Sequence, residues 1–441
     1  MTLGGWTSID AEIWSGDHPN QSLSYLSRDG QFAVITDYES HSSLLLLNAS
    51  QEVLRARFAS LLAPTPREGR LRALPPNEEV HGYGTFTFPY GPLDAGVPEA
   101  GRFDVRTYGE RVLELVPIVG FKSRDIAQAV VGQKVADAAL RVERIAGNLS
   151  ASHVSAFLSA AESAQATAVR TEELWLRAVA QELQRMYNHI RVVAREAEAA
   201  SQPVGASQTF ACAEEVLRIQ GWAFGHRWLF GALLPGGSRP RIDKGWVEQV
   251  ASRTATVASE FARLWELFGQ SRIYIDRIQT TATVGAADAM TWGAVGPTLR
   301  ATGIRWDDRL FHAGPPYDDL LVNLPSYSEG DALARVAVRA DEVQASALLI
   351  EQMAKRWPSK TAMTEPFPSV ASGRGLARVE APSGDLVYDV SVKDGRVTRV
   401  GWRSPTEANF PLFALGMRGA VFTDFHFAFE SFGLVFAEID G

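Results

Sequence analysis

Thiols are almost missing from this chain: Cys212 is the sole cysteine among 441 residues. That excludes an internal disulfide and any metal centre held by several thiolates of this chain alone, and it fits a cytosolic redox compartment. The expectation for Cys212 itself is a small buried apolar residue. Long hydrophobic runs are missing as well. The longest, such as LLLL at 44–47, fall far short of the ~20 apolar residues a bilayer-crossing helix needs. The first residues, MTLGGWTSIDAEIW, lack the positive region followed by an apolar one that marks a secretory signal. No lysine- or arginine-rich block is present, and 43 basic against 51 acidic residues leave a formal charge of -8. Nucleic acid is therefore not an expected partner. Nucleophilic triads, phosphate-cradling glycine loops and paired hydrolase carboxylates do not stand out, and GRG at 373–375 is too short for a phosphate loop.

What is present is ample apolar content, 46% of the residues, enough for one large core or two moderate ones. Residues 1–75 read as a small mixed segment, with a strand at 31–38 and a short helix at 49–62. A proline- and charge-rich linker follows at 63–79. Residues 82–120 alternate apolar and polar positions between glycine and proline breaks, as paired strands do. Helical character begins at Ser123. Leu176, Val179, Leu183, Met186, Ile190, Val193 and Ala197 recur at steps of three and four, predicting a helix over 172–199 with one apolar stripe. Further helices are predicted at 207–232, 241–269 and 330–356, and strand character returns at 376–405 around a KDG turn. The fold class is α+β, a central helical bundle between β-rich N- and C-terminal segments, with residues 80–441 as the main domain.

Five stretches in chain order carry a likeness to a known group. They are GYGTFTFPYGPLDAGVPEAGRF (82–103), ERIAGNLSASH (143–153), GHRWLFGALLPGG (225–237), GPTLRATGIRWDDRLFHAGPPYDDL (296–320) and the C-terminal RSPTEANFPLFALGMRGAVFTDFHFAFESFGLVFAEID (403–440). Together they resemble the large subunit of membrane-bound, energy-converting nickel-iron hydrogenases of the formate-hydrogenlyase type, and the related quinone-site large subunit of respiratory complex I. The resemblance spans roughly residues 80–441, and residues 1–75 would then be a shrunken remnant of an accessory domain. In the hydrogenases two pairs of cysteine thiolates, soft ligands suited to these metals, hold the centre. The first pair falls here at Ala146 and Leu149, the second at Val435 and Glu438. Complex I relatives bind the quinone head group through a histidine and a tyrosine whose places are taken by Asp94 and Gly147.

The resemblance implies a metal-free subunit, with no nickel and no cofactor of its own. It would pack on a small subunit that carries an iron-sulfur cluster, beside membrane-embedded ion-translocating subunits on the cytoplasmic face. A pocket lined by Asp94, Ala146, Gly147, Leu149, Val435 and Glu438 would take a quinone or an unknown small acceptor. Glu99, Glu143, Arg144 and His153 are the proton-path candidates. Each has a plainer reading: Glu99 as an exposed turn residue, Glu143 and Arg144 as a helix-bracing ion pair, His153 as a hydrogen-bonded core histidine. His189 with Arg185, and Arg300 with Asp308 and Arg309, stand open between proton conduction and structural networks. His226 and Arg227 are expected to satisfy buried backbone carbonyls. Glu438 is the substitution that core packing does not explain, and Arg144 is its expected partner. The alternative from a different class is a catalytically silent scaffold, its former metal place filled by apolar side chains.

Overall fold

A computed structural model of the chain describes residues 7–10, 21–27, 31–40, 42–47, 82–93, 99–239, 243–311, 314, 316–358 and 372–441. The helix expected at 49–62, the linker at 63–79 and Asp94 lie outside the described residues.

Among the described residues three sheets of three or four strands pack with a helical bundle, and Leu233–Leu234 pairs with Gly237–Ser238 in a two-stranded fourth. The strands β1 (Thr7–Asp10), β2 (Gln21–Leu26), β3 (Phe32–Asp37) and β4 (Ser42–Leu47) form one sheet in the order β1-β4-β3-β2, with β1 parallel to β4 and the other pairs antiparallel. The meander β5 (Thr85–Tyr90), β6 (Arg102–Tyr108) and β7 (Arg111–Ile118) follows. Near the C-terminus β8 (Gly373–Ala381), β9 (Gly384–Lys393) and β10 (Arg396–Arg403) form an antiparallel sheet. The first sheet is covered on both faces, which is why β3 is apolar at consecutive positions. Ala33 and Ile35 face the core built from the C-terminal helices, while Val34 packs with Leu376 and Val387 of the last sheet.

The main helices are α1 (Val135–Val142), α2 (Ser150–Ala164), α3 (Thr171–Ala199), α4 (Pro203–Phe224), α5 (Lys244–Gln270), α6 (Ala332–Lys355), α7 (Pro405–Gly416) and α8 (Phe425–Phe432). All seven stripe residues of α3 are buried, as periodicity predicts. Its polar residues Glu182, Arg185, Asn188, His189 and Glu196 are buried too. This helix runs through the middle of the bundle, so its second face meets other protein rather than water. The predicted helix over 207–232 ends early, at Phe224, because Gly225 takes a left-handed conformation (φ 81°) that stops it.

One glycine motif finds its use in packing. A Cβ on Gly375 would sit 2.0 Å from the Ala160 carbonyl oxygen, so GRG at 373–375 lets β8 lie directly on α2. Among the described residues no helix is long and apolar enough to cross a membrane.

Candidate functional site

The motif at 143–153 meets the C-terminal one. Gly147–Leu149 form a single tight helical turn that leads into α2. At the other end Gly433, in left-handed conformation, stops α8 and returns the chain through Val435 to a last turn at Ala437–Asp440. Between them Ala146, Leu149, Val435 and Ala437 pack as a small cluster of their own, each less than 10% exposed. Ala146, Leu149 and Val435 are three of the four positions that the resemblance implies for the thiolates. Methyl and branched alkyl groups offer no donor atom, so a thiolate-held nickel-iron group does not fit the residues present. Among the described residues no group of three or more His, Cys, Asp and Glu side chains is placed to hold a metal ion. Cys212 is buried in α4, away from this turn in sequence, and burial pushes its thiol up to about 11.

Glu438, at the fourth place, is buried and fully engaged. One of its oxygens lies 3.1 Å from His153 Nε2, and the other accepts the Thr406 hydroxyl. His153 Nδ1 is 2.8 Å from the Tyr388 hydroxyl, and Trp402 Nε1–H donates to the Glu438 carbonyl at 3.0 Å. Thr406 in turn accepts the Val435 N–H at 3.1 Å. Glu438 thus ties the C-terminal turn to α2, β9, β10 and α7. Arg144 is not its partner. That guanidinium is half exposed, pairs with Glu143 at 2.5 Å and lies over the Phe230 ring at 4.6 Å.

Glu143 is buried and accepts the Gly231 N–H at 2.7 Å. Burial raises its carboxyl, with the Gly231 bond and Arg144 opposing. Glu99 takes the Lys122 ammonium at 2.7 Å on one oxygen and the Ala437 N–H at 3.0 Å on the other, so it links the opening hairpin to the apolar cluster. Gly101 beside it has the Phe436 ring where a Cβ would stand, 2.1 Å away, which seats the hairpin on the C-terminus. A Cβ on Gly147 would stand 3.6 Å from the Phe230 ring. His226 Nδ1 accepts the Trp228 N–H at 3.1 Å, and Arg227 reaches Glu214 at the surface, 2.5 Å away; among the described residues neither donates to the buried carbonyl expected of it. Of the residues expected to line a pocket, Ala146, Leu149 and Val435 pack against one another with Ala437, and Asp94 lies outside the described residues. A cavity of about 510 Å³ lies elsewhere, between the Thr280–Thr283 loop and Gly416–Ala420.

A second constellation was only partly visible in the sequence. Between α3, α6, β8 and the segment 300–309 runs a buried seam of charge containing Glu182, Arg185, His189, Arg300, Asp307, Arg309, Glu342 and Glu380. Asp307 chelates Arg309 (2.9 and 2.7 Å), which reaches Glu182 at 3.2 Å. Asp308, the neighbour singled out from sequence, instead pairs with Arg378 at 3.2 Å. Arg300 donates to Glu342. His189 lies between Glu342 Oε2 (2.6 Å) and Arg339 Nη1 (3.3 Å). Arginine has no acceptor, so His189 Nδ1 accepts and Nε2–H donates to Glu342, the neutral ring form. Burial agrees, holding His189 down at about 4. Burial pushes Glu182 and Glu342 up, but Arg185 and Arg309 on the first and Arg300 and His189 on the second outweigh it, and both stay below the usual carboxylate range.

The sequence pattern described as "Respiratory-chain NADH dehydrogenase, 49 Kd subunit" matches residues 204–371. The carbon monoxide-induced hydrogenase of Rhodospirillum rubrum is 28% identical over 349 residues, covering 77% of this chain and 95% of that protein. The membrane-bound hydrogenase subunit alpha of Pyrococcus furiosus is 25% identical, covering 73% of this chain and 79% of that protein. An NADH-quinone oxidoreductase subunit of Bacillus anthracis is 23% identical, covering 80% of this chain and 97% of that protein. A solved chain of the membrane-bound sulfane sulfur reductase, an archaeal respiratory membrane complex, superposes with a TM-score of 0.76 at 22% identity, covering 83% of this chain and all of that one.

Proposed function

We propose, from the premise that this chain is a divergent relative of the hydrogenase and complex I large subunits, that it works in a membrane-bound respiratory oxidoreductase without a metal of its own. It packs on a small subunit carrying an iron-sulfur cluster and lies peripherally at the cytoplasmic face, beside ion-translocating membrane subunits. It contributes to electron and proton transfer toward a quinone or another small acceptor. The observation that carries this reading is the packed cluster of Ala146, Leu149, Val435 and Ala437. Alkyl groups replace soft ligands, and the carboxylate at the remaining place is consumed by His153 and Thr406.

The same packing favours a second reading, a silent scaffold that holds the small subunit and passes movement to the membrane arm. The test is to purify the native complex, determine its metals, and assay hydrogen oxidation and quinone reduction. No nickel and no hydrogen turnover are expected, whereas nickel bound stoichiometrically to this chain overturns the metal-free reading. A Leu149→Ala variant separates the two readings. Acceptor chemistry beside the cluster predicts a changed KM for quinone, and a scaffold predicts an unchanged one.

A further inference from the structure

The seam does more than neutralise its own charges. Its carboxylates are held unequally. Glu182 accepts the Tyr317 and Ser346 hydroxyls at 2.7 and 2.6 Å besides its arginines. Asp307 is chelated by Arg309 at 2.9 and 2.7 Å, and Glu342 takes Arg300 and the His189 N–H at 2.6 Å. Glu380, 3% exposed, has two long side-chain contacts among the described residues, both 3.2 Å: Arg300 Nη1 on one oxygen and the Asp308 N–H on the other. The same Nη1 donates to the Trp306 carbonyl at 2.9 Å and lies 3.2 Å from Asp307 Oδ2. A nitrogen with two hydrogens therefore faces three acceptors, two of them carboxylates crowded at one point. Two carboxylates sharing a buried site do not both ionise, and the one with weaker partners keeps the proton.

We propose that the seam is a proton-holding site in which Glu380 is the neutral member, taking up and giving back a proton beside Asp307. A second observation points the same way. Arg300 is wholly buried, yet its Nε–H has no acceptor among the described residues, so the seam has a donor left over for a polar ligand such as water. The charges around Glu380 are these. From α3 come Glu182 and Arg185, the latter donating to the Glu380 carbonyl at 2.7 Å. The 300–309 segment supplies Arg300, Asp307, Asp308 and Arg309, and α6 supplies Arg339 and Glu342. In the sheet, Arg378 and Asp385 pair with each other at 2.7 Å, Asp385 standing opposite Glu380 in register. On α2, His153 and Glu162 are occupied by Glu438 and Arg177. Burial first, then Asp307, moves the Glu380 carboxyl up to about 8, the direction the geometry requires. The inference does not rest on the metal-free reading, and a nickel result would leave it standing.

The test is an infrared pH titration of the purified complex containing this subunit, reading the carbonyl band of neutral carboxylic acids. Glu196, buried against Tyr274 and also raised to about 8, gives a band of its own, so variants are compared. The Glu380→Gln variant is expected to lose a band that wild type shows at neutral pH and loses as pH rises through about 8. The Glu196→Gln variant is expected to keep that band. If Glu380→Gln does not accumulate, the band remaining in Glu196→Gln decides the matter. Its presence supports the proposal; its absence, or a Glu380→Gln spectrum identical to wild type, overturns it.

Discussion

Two buried regions of this molecule solve opposite problems. Where the motif at 143–153 meets the C-terminal one, the cluster of Ala146, Leu149, Val435 and Ala437 is alkyl and without donor atoms. In the seam between α3, α6 and β8, side chains just as buried are charged. Apolar burial gains free energy by removing surface from water and tolerates small errors of position. Buried ions are costly unless each meets a partner at close range, so such a network is sensitive to every member. The difference teaches where chemistry has been kept. The cluster is closed by packing, and the seam brings ionisable groups together.

The sharpest break in that contrast is Arg300→Ala. It strands Glu342 and Asp307 without one of their cations, and denaturant unfolding is expected to show a loss of about 3–5 kcal/mol. In the apolar cluster, Leu149→Ala leaves a cavity and is expected to cost about 2–3 kcal/mol by the same measurement. That loss should be nearly independent of pH, unlike the first. Glu438→Gln keeps the shape but weakens the link to His153 and Thr406, with an expected loss of about 1–2 kcal/mol in chemical denaturation. Unchanged stability in Glu438→Gln and Glu438→Ala alike would deny the carboxyl group any role as a tether.

The comparison also predicts pH slopes of opposite sign. Glu196 rises from 4.5 to about 8 on folding, mainly by burial, so its stabilising contribution is full below 4.5 and is lost as pH climbs toward about 8. His189 falls from 6.5 to about 4, mainly by burial, so its contribution is present above 6.5 and is lost as pH drops toward about 4. Thermal unfolding of Glu196→Gln should show a flatter decline on the alkaline side, and His189→Gln a flatter decline on the acid side. Parallel curves for wild type and either variant would remove that residue from the linkage.

Local patterns carried much of the fold. The α3 stripe, the KDG hairpin and the order of five motifs were readable because helix and strand periods are written in neighbouring residues. The break at Gly225 was missed, since a glycine inside an apolar pattern is a stop only when the chain adopts the left-handed conformation there. Asp307 and Asp308 are adjacent and alike in sequence, yet one chelates Arg309 and the other pairs with Arg378. Asp307 meets a neighbour two positions on, whereas the partner of Asp308 comes from β8, and no local rule tells which of the two aspartates turns which way.

The sequence by itself determined that one thiol cannot make a thiolate-held metal centre, and that Ala146, Leu149 and Val435 carry no donor atom in their side chains. Donor atoms are a property of residue type, which no folding alters. Only the tertiary structure decided that Glu438 belongs to His153, 285 positions away, rather than to Arg144, and that Glu380 is the loosely held carboxylate of the seam. Hydrogen bonds and ion pairs are set by distances of a few ångströms, and those distances exist only after helices and sheet have packed.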